Sequence, residues 1–63
     1  MKFAIVRTNL KTGQISFFSK HSRWTMYLTS ALLFDYPFLA ADYLVSFVRH
    51  SAGFCYEVRQ VVE

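Results

Sequence analysis

The chain has 63 residues, of which 54% are hydrophobic and 19% aromatic, and its formal net charge is +3. This length allows a single domain, residues 1–63, near the lower limit at which a core offsets the lost chain entropy. The only cysteine, Cys55, excludes an intrachain disulfide and is typical of a protein of the reducing cytoplasm. Because so small a domain has little interior, the many aromatic side chains favour association with a second copy or another protein.

The first predicted elements form a β-hairpin. Residues 2–8 and 14–19 are rich in β-branched and aromatic side chains, and the turn residues between these two segments end in Gly13. Neighbouring side chains of a strand point to opposite faces. One of Phe17 and Phe18 is therefore predicted to face the core, and the other to face outward.

Three basic-type side chains follow the second strand: Lys20, His21 and Arg23. Outward aromatic residues flanked by basic residues are the elements with which RNA-binding sheets stack bases and hold phosphates. A nucleic-acid or nucleotide binding module, which uses the sheet face and its basic rim, is therefore one hypothesis. The modest charge and the scattered basic residues favour instead a solvated basic surface. The adjacent Trp24 is predicted to be a buried anchor where the chain leaves the second strand.

The segment from Trp24 to Val48 carries no positive charge and is long enough to span a bilayer. Asp35 and Asp42, however, would each cost about 2.5–3.5 kcal/mol near the centre of a membrane helix, and Pro37 would interrupt its hydrogen bonds. The start of the chain lacks the pattern of a secretory signal. These features predict a cytoplasmic chain that does not enter the membrane.

A helix is predicted from Pro37 to His50, with Asp35 as its N-terminal cap and Pro37 in its first turn. The apolar stripe predicted to face the sheet consists of Ala40, Ala41, Leu44, Phe47 and Val48. Other apolar residues of the helix lie off this stripe. They form the predicted contact site for a partner: Phe38, Leu39, Tyr43 and Val45.

The last segment, residues 54–62, alternates between apolar and polar positions and predicts a third strand with one face toward water. The order β-β-α-β predicts a small α+β domain with a three-stranded sheet and one main helix packed on one face. The first strand is apolar on both faces. The second face of the sheet therefore needs a cover, either from residues 26–34 or from another chain.

The residues around Trp24 also resemble a known pattern. Trp24-Thr25 follows a strand, Ala31 lies seven residues after Trp24, Phe34 three residues later and Ala40 six residues after that. This order resembles small single-domain proteins encoded by bacteriophages and some bacterial genomes, mostly without assigned function, and it covers nearly the whole chain. The resemblance implies a small protein that docks on a host protein and inhibits or redirects it in the bacterial cytoplasm. It implies no catalytic or ligand-binding residue.

Catalysis and metal binding are not predicted. Cys55 lies inside a strand, and a pairing with His21 or His50 lacks a third group and an oxyanion loop. These side chains do not have the spacing of metal ligands, and the two glycines form no phosphate-binding loop. We therefore predict a protein that is not an enzyme, has no cofactor or metal, and binds a host protein or forms a homodimer.

Overall fold

The computed structural model describes residues 1–62. Five strands are present: β1 (Lys2–Asn9), β2 (Ile15–Phe18), β3 (Trp24–Thr25), β4 (Leu33–Phe34) and β5 (Phe54–Val61). A 3-10 helix (Leu28–Ser30) lies between β3 and β4, and one α-helix, α1 (Pro37–Phe47), lies between β4 and β5. Glu63, the last residue of the predicted domain, lies outside the described residues. Within residues 1–62, no helix is long and apolar enough to cross a membrane.

Strand β1 is the centre of an antiparallel sheet. β5 pairs with the whole length of β1 on one side. On the other side, β4 pairs with the first half of β1 and β2 with the second half, and β3 continues the sheet beyond β2. The predicted α+β class is confirmed, but the sheet has five strands where three were predicted. The two additional strands are only two residues long, too short for any alternation of side chains to be visible in the sequence.

The turn between β1 and β2 confirms the predicted hairpin. The Asn9 side-chain oxygen accepts hydrogen bonds from the backbone N–H groups of Lys11 at 2.9 Å and Thr12 at 3.2 Å. Gly13 has a φ of 77° and donates its N–H to the Asn9 carbonyl at 2.7 Å. A positive φ is inexpensive only for glycine, so this residue allows the chain to reverse and enter β2.

The core lies between α1 and one face of the sheet. Its buried side chains are Ile5, Phe18, Ala40, Leu44 and Val48. Phe18 is thus the inward residue of the phenylalanine pair, and Phe17 lies half-buried on the opposite face. The predicted helical stripe is correct at Ala40, Leu44 and Val48.

The predicted stripe is wrong at two other positions. Ala41 and Phe47 are exposed, whereas Tyr43, which was expected off the stripe, is half-buried. The Tyr43 ring lies 5.9 Å from the ring of Phe18 and 5.5 Å from that of Phe34. The helix is therefore rotated toward Tyr43, because this rotation lets one more aromatic ring join the core.

The beginning of α1 also differs from the prediction. The N-cap position is Tyr36, which makes no side-chain capping bond, and Pro37 occupies the first turn. Asp35 does not cap the helix because its carboxylate forms an ion pair with the ammonium of Lys2 in β1. This hydrogen bond from Lys2 lowers the pKa of the Asp35 carboxyl group. The ion pair connects the start of the helix to the start of the sheet.

The helix ends at Phe47, before the predicted end at His50. His50 Nε2 donates a hydrogen bond to the Leu44 carbonyl oxygen at 3.3 Å, and the His50 ring stacks on Tyr56 with 4.5 Å between ring centroids. The Tyr56 hydroxyl in turn accepts a hydrogen bond from the Ser51 N–H at 2.9 Å. The connection from α1 to β5 is thus held by one tyrosine.

The second face of the sheet is closed over its centre. Ala4 and Val6 of β1 are 0% exposed. The strand register places Val6 between Phe17 of β2 and Glu57 of β5, and it places Ala4 between residues of β4 and β5. These exposures are those of a single copy, so the chain itself covers Ala4 and Val6 and another chain is not needed as a cover at this place.

Candidate protein-binding surface

Helix α1 exposes large apolar side chains on the sides that do not face the sheet. Phe38 is 65% exposed, Val45 80% and Phe47 72%. A surface helix of a monomeric domain normally carries polar residues on its outer face, whereas a helix that is apolar on all sides is normally buried. Only Asp42 and Ser46 interrupt the apolar surface of α1.

The apolar residues of α1 that are not fully buried form two ridges. The outer ridge consists of Phe38, Ala41 and Val45, which share one face of the helix because of their i, i+3, i+7 spacing. The ring of Tyr36 stacks on Phe38 with centroids 5.4 Å apart and extends this ridge beyond the start of the helix.

The inner ridge consists of Leu39, Tyr43 and Phe47 at i, i+4, i+8 spacing. Tyr43 lies on the core, and the Phe47 ring packs against it with centroids 5.0 Å apart. Of the four predicted contact residues, Phe38, Leu39 and Val45 are exposed and Tyr43 is not. The structure therefore distributes the predicted set over two different ridges.

The predicted basic residues lie in the loop between β2 and β3. The Ser19 N–H donates to the Arg23 carbonyl at 2.7 Å and closes this loop. The buried Ser19 hydroxyl accepts hydrogen bonds from the N–H groups of His21 at 3.3 Å and Arg23 at 3.1 Å. The side chains of Lys20, His21 and Arg23 are all exposed, so the loop presents them together to solvent.

Ser22 gives this loop a backbone that favours glycine, since its φ is 60°. A residue with a Cβ atom is destabilised by about 1–2 kcal/mol in the left-handed region, and glycine avoids this cost. Glycine offsets part of the gain because it loses more conformational entropy on folding. We expect Ser22→Gly to raise the free energy of unfolding by about 0.5–1 kcal/mol, measured by urea denaturation. Lys20→Gly is the matched control. It lies in the same loop without a positive φ and should lower stability, so an equal change in both variants would contradict the proposed strain.

Two features of the structure have no counterpart in the predictions. The first is an open pocket of about 350 Å³ lined by Lys20, Leu28, Thr29, Leu33 and Val62. These residues belong to the loop after β2, the 3-10 helix, β4 and the position that follows β5.

The second feature is Arg7, which projects from β1 between two aromatic rings. Its guanidinium carbon lies 4.5 Å from the centroid of the Trp24 ring and 4.2 Å from that of the Phe54 ring. Each cation–π contact contributes about 0.5–2 kcal/mol, depending on desolvation. Arg7 is therefore part of the packing of the sheet face, although its charge alone predicts a solvated residue.

The geometry does not pair the thiol of Cys55 with either histidine. Cys55 and Tyr56 are neighbours in β5 and point to opposite faces of the sheet, and His50 stacks on Tyr56. Across β1, Cys55 lies nearest to Ile15, the first residue of β2. His21 follows the last residue of β2 and is therefore at the other end of that strand. Among residues 1–62, no group of three or more His, Cys, Asp or Glu side chains has an arrangement that holds a metal ion.

Comparisons with known proteins find no relative of the chain. No family model, no curated protein and no solved structure matches the chain. The resemblance to bacteriophage-encoded proteins rests on the residue pattern around Trp24 alone. The exposed apolar surface of α1 is therefore the main feature of the chain that bears on its function.

Proposed function

We propose that the chain acts by binding another protein through the outer ridge of α1, without a chemical step of its own. The observation that carries this proposal is the exposure of Phe38 and Val45, at 65% and 80%, on a helix whose other side is fixed in the core. A rigid helix presents its side chains to a partner at little entropic cost, because the helix is already ordered before binding.

The outer ridge has the spacing that helix-binding grooves use. Anchors at i, i+3 or i+4, and i+7 enter successive apolar pockets of a partner, and Phe38, Ala41 and Val45 supply this series. Burial of one large apolar side chain contributes about 1.5–3 kcal/mol. Aromatic anchors in the centre of an interface contribute most of its affinity, so Phe38 is the expected principal contact.

The charge on α1 indicates the chemistry of the partner. Asp42 lies beside the outer ridge near the middle of the helix. Two copies that paired through this face around the middle of α1 would bring two Asp42 carboxylates together, and like charges repel. A different protein that offers an apolar groove with a lysine or arginine opposite Asp42 complements the surface.

The specific form of this proposal follows the bacteriophage resemblance. On that basis the partner is a host protein, which the chain inhibits or redirects in the bacterial cytoplasm. Host proteins present such grooves where their own helices dock. Occupation of a groove by α1 would block the natural helix, so inhibition requires no catalysis.

A nucleic-acid binding function has weaker support. Nucleic-acid binding sheets stack bases on two or three aromatic side chains of an open face. The face opposite α1 carries one aromatic residue of the five strands, Phe17, which is half-buried. The aromatic rings of the other face are packed against α1, Arg7 and His50. The exposed basic loop could contact phosphates, but it has no open set of aromatic rings beside it on which bases could stack.

The test is affinity purification of tagged variants from a bacterial lysate, with half of each sample treated with nuclease. We expect the wild-type chain to retain a partner protein equally well with and without nuclease. The double variant Phe38→Ala with Val45→Ala should lose at least about 90% of the retained partner, which corresponds to more than about 1.4 kcal/mol of binding free energy. The matched control is Leu39→Ala with Phe47→Ala, which removes the same classes of side chain from the inner ridge and should retain the partner. Equal retention by both double variants would contradict the assignment to the outer ridge.

The basic loop provides the discriminating variant. Lys20→Glu with Arg23→Glu should leave the fold intact, because exposed charges contribute no more than about 1 kcal/mol to stability. It should also leave the retained protein unchanged. If this variant abolishes binding, and binding of the wild type is nuclease-sensitive and weakens steeply with salt, the nucleic-acid function replaces the proposed one.

A further inference from the structure

Strand β5 forms a long open edge of the sheet. It has eight residues, all of which pair with β1 on one side. Within residues 1–62, no strand pairs with its other side. Such an edge presents a row of backbone N–H and C=O groups that another strand can bind.

The register identifies which residues of β5 point these groups outward. The Asn9 N–H donates to the Gln14 carbonyl at 2.9 Å, on the side of β1 that faces β2. Because the direction alternates along a strand, the next residue of β1, Thr8, directs its groups toward Cys55 of β5. Every second residue of β5 from Cys55 onward therefore bonds to β1. The remaining residues present their backbone groups to solvent: Phe54, Tyr56, Val58 and Gln60.

We propose that this edge binds the β5 edge of a second copy of the chain, antiparallel, with the two-fold axis at Val58. In this register Val58 lies opposite Val58 of the second copy, and Tyr56 lies opposite Gln60. On the other face of the sheet, Glu57 lies opposite Arg59 of the second copy. The result is one sheet that continues through both copies.

Charge selects this register over its neighbours. Only outward-pointing residues bond to each other, so the registers one step away on either side place the two-fold axis at Glu57 or at Arg59. The first alternative sets Glu57 against its own copy, and the second sets Arg59 against its own copy. Opposite charges on facing strands stabilise the pair, whereas like charges directly opposite destabilise it.

The side chains already have the required arrangement within one copy. Glu57 and Arg59 form an ion pair with each other along β5, and both are exposed. In the dimer, the pair from each copy lies beside the pair from the other, so that four charges alternate in sign. The facing positions are those without backbone hydrogen bonds between them, where side chains approach most closely, about 4.5 Å between Cα atoms.

The dimer contact and the proposed protein-binding surface use different groups of the chain. The dimer contact uses the backbone groups of β5 at the edge of the sheet, whereas the outer ridge consists of side chains of α1. The proposal therefore does not depend on the proposed function. It is measured with the purified chain alone, so that either proposal can fail without the other.

Charge reversal tests the proposal. Glu57→Arg makes both positions positive, and Arg59→Glu makes both negative, so each variant faces like charges across the interface. By sedimentation equilibrium from about 1 µM to about 1 mM, each variant should dimerise at least about tenfold more weakly than the wild type. An equimolar mixture should recover the dimer, because each Arg then faces a Glu. The double variant Glu57→Arg with Arg59→Glu should dimerise like the wild type.

A cross-link tests the register. In a Cys55→Ser background, Val58→Cys places two thiols opposite each other at about 5.5 Å between Cα atoms, within the range of a disulfide. A register shifted by one step moves them about 7 Å further apart along the strands, out of reach. Oxidation should therefore yield a covalent dimer. A monomer at about 1 mM, reversal variants that dimerise like the wild type, or the absence of this cross-link would each overturn the proposal.

Discussion

Replacement of Trp24 with alanine is expected to lower the free energy of unfolding by about 3–5 kcal/mol. The indole is half-buried and meets three side chains. Its ring lies 5.3 Å from Phe18 in an edge-to-face arrangement and 5.8 Å from Tyr56, and it supports the guanidinium group of Arg7. Trp24 thus connects β1, β2, β3 and β5. Its removal leaves a cavity and exposes the positive charge of Arg7 on one side.

The loss is large relative to the stability of so small a domain, which is about 3–9 kcal/mol for this length. Urea denaturation followed by circular dichroism measures the change. Phe47→Ala is the control, because it also removes an aromatic ring, but one that is 72% exposed, and it should change stability by less than about 1 kcal/mol. Trp24→Phe, which keeps an apolar ring, should recover part of the stability. A Trp24→Ala chain with an unchanged denaturation midpoint would show that the indole is not structural.

The parts of the fold that the sequence predicts are those with local signals. β1 and β2 are rich in β-branched and aromatic residues, β5 alternates between apolar and polar positions, and α1 begins at a proline that fits a first turn. Gly13 marks its turn because its positive φ is a property of the residue itself. These signals require only neighbouring residues, so they are readable without knowledge of the tertiary structure.

The features that the sequence did not predict depend on residues far apart in the chain. Asp35 is a plausible cap from its position, but it pairs with Lys2, which is 33 residues away. β4 is a strand only because β1 offers it a partner. Arg7 is packed only because Trp24 and a ring of β5 lie on both sides of it. No local pattern contains these pairings.

The candidate surface was predictable in kind but not in its boundaries. The excess of apolar residues on α1 predicts exposed apolar side chains, and Phe38, Leu39 and Val45 are exposed. Tyr43 was expected off the inward stripe but packs against the core, because α1 is apolar on nearly every side and periodicity therefore defines no unique inward stripe. The rotation of the helix is set by which ring fits between Phe18 and Phe34, a question of shape that spacing does not encode.

The rotation of α1 leads to a contrast between two adjacent alanines. Both belong to the stripe predicted from the sequence, but Ala40 is 0% exposed and Ala41 is exposed. Ala40→Glu would place a carboxylate between α1 and the sheet without a partner. An unpaired buried charge costs more than about 4 kcal/mol, comparable to the whole stability of the domain. Ala41→Glu places the same side chain in water, and its expected effect is within about 0.5 kcal/mol.

The two variants differ by one position and carry the same substitution, so helix propensity, net charge and side-chain size are matched. Circular dichroism at 25 °C should show an unfolded or strongly destabilised Ala40→Glu chain and a folded Ala41→Glu chain. Ala40→Gly provides a milder probe, which stays measurable if the glutamate variant does not fold. It should cost more than Ala41→Gly, because the loss of the buried methyl group adds to the common loss of helix propensity of about 1 kcal/mol. Equally large losses at the two positions would mean that α1 packs as the sequence predicts, with both alanines against the sheet, and the outer ridge would then lose Ala41. Equally small effects would mean that Ala40 is not part of the core.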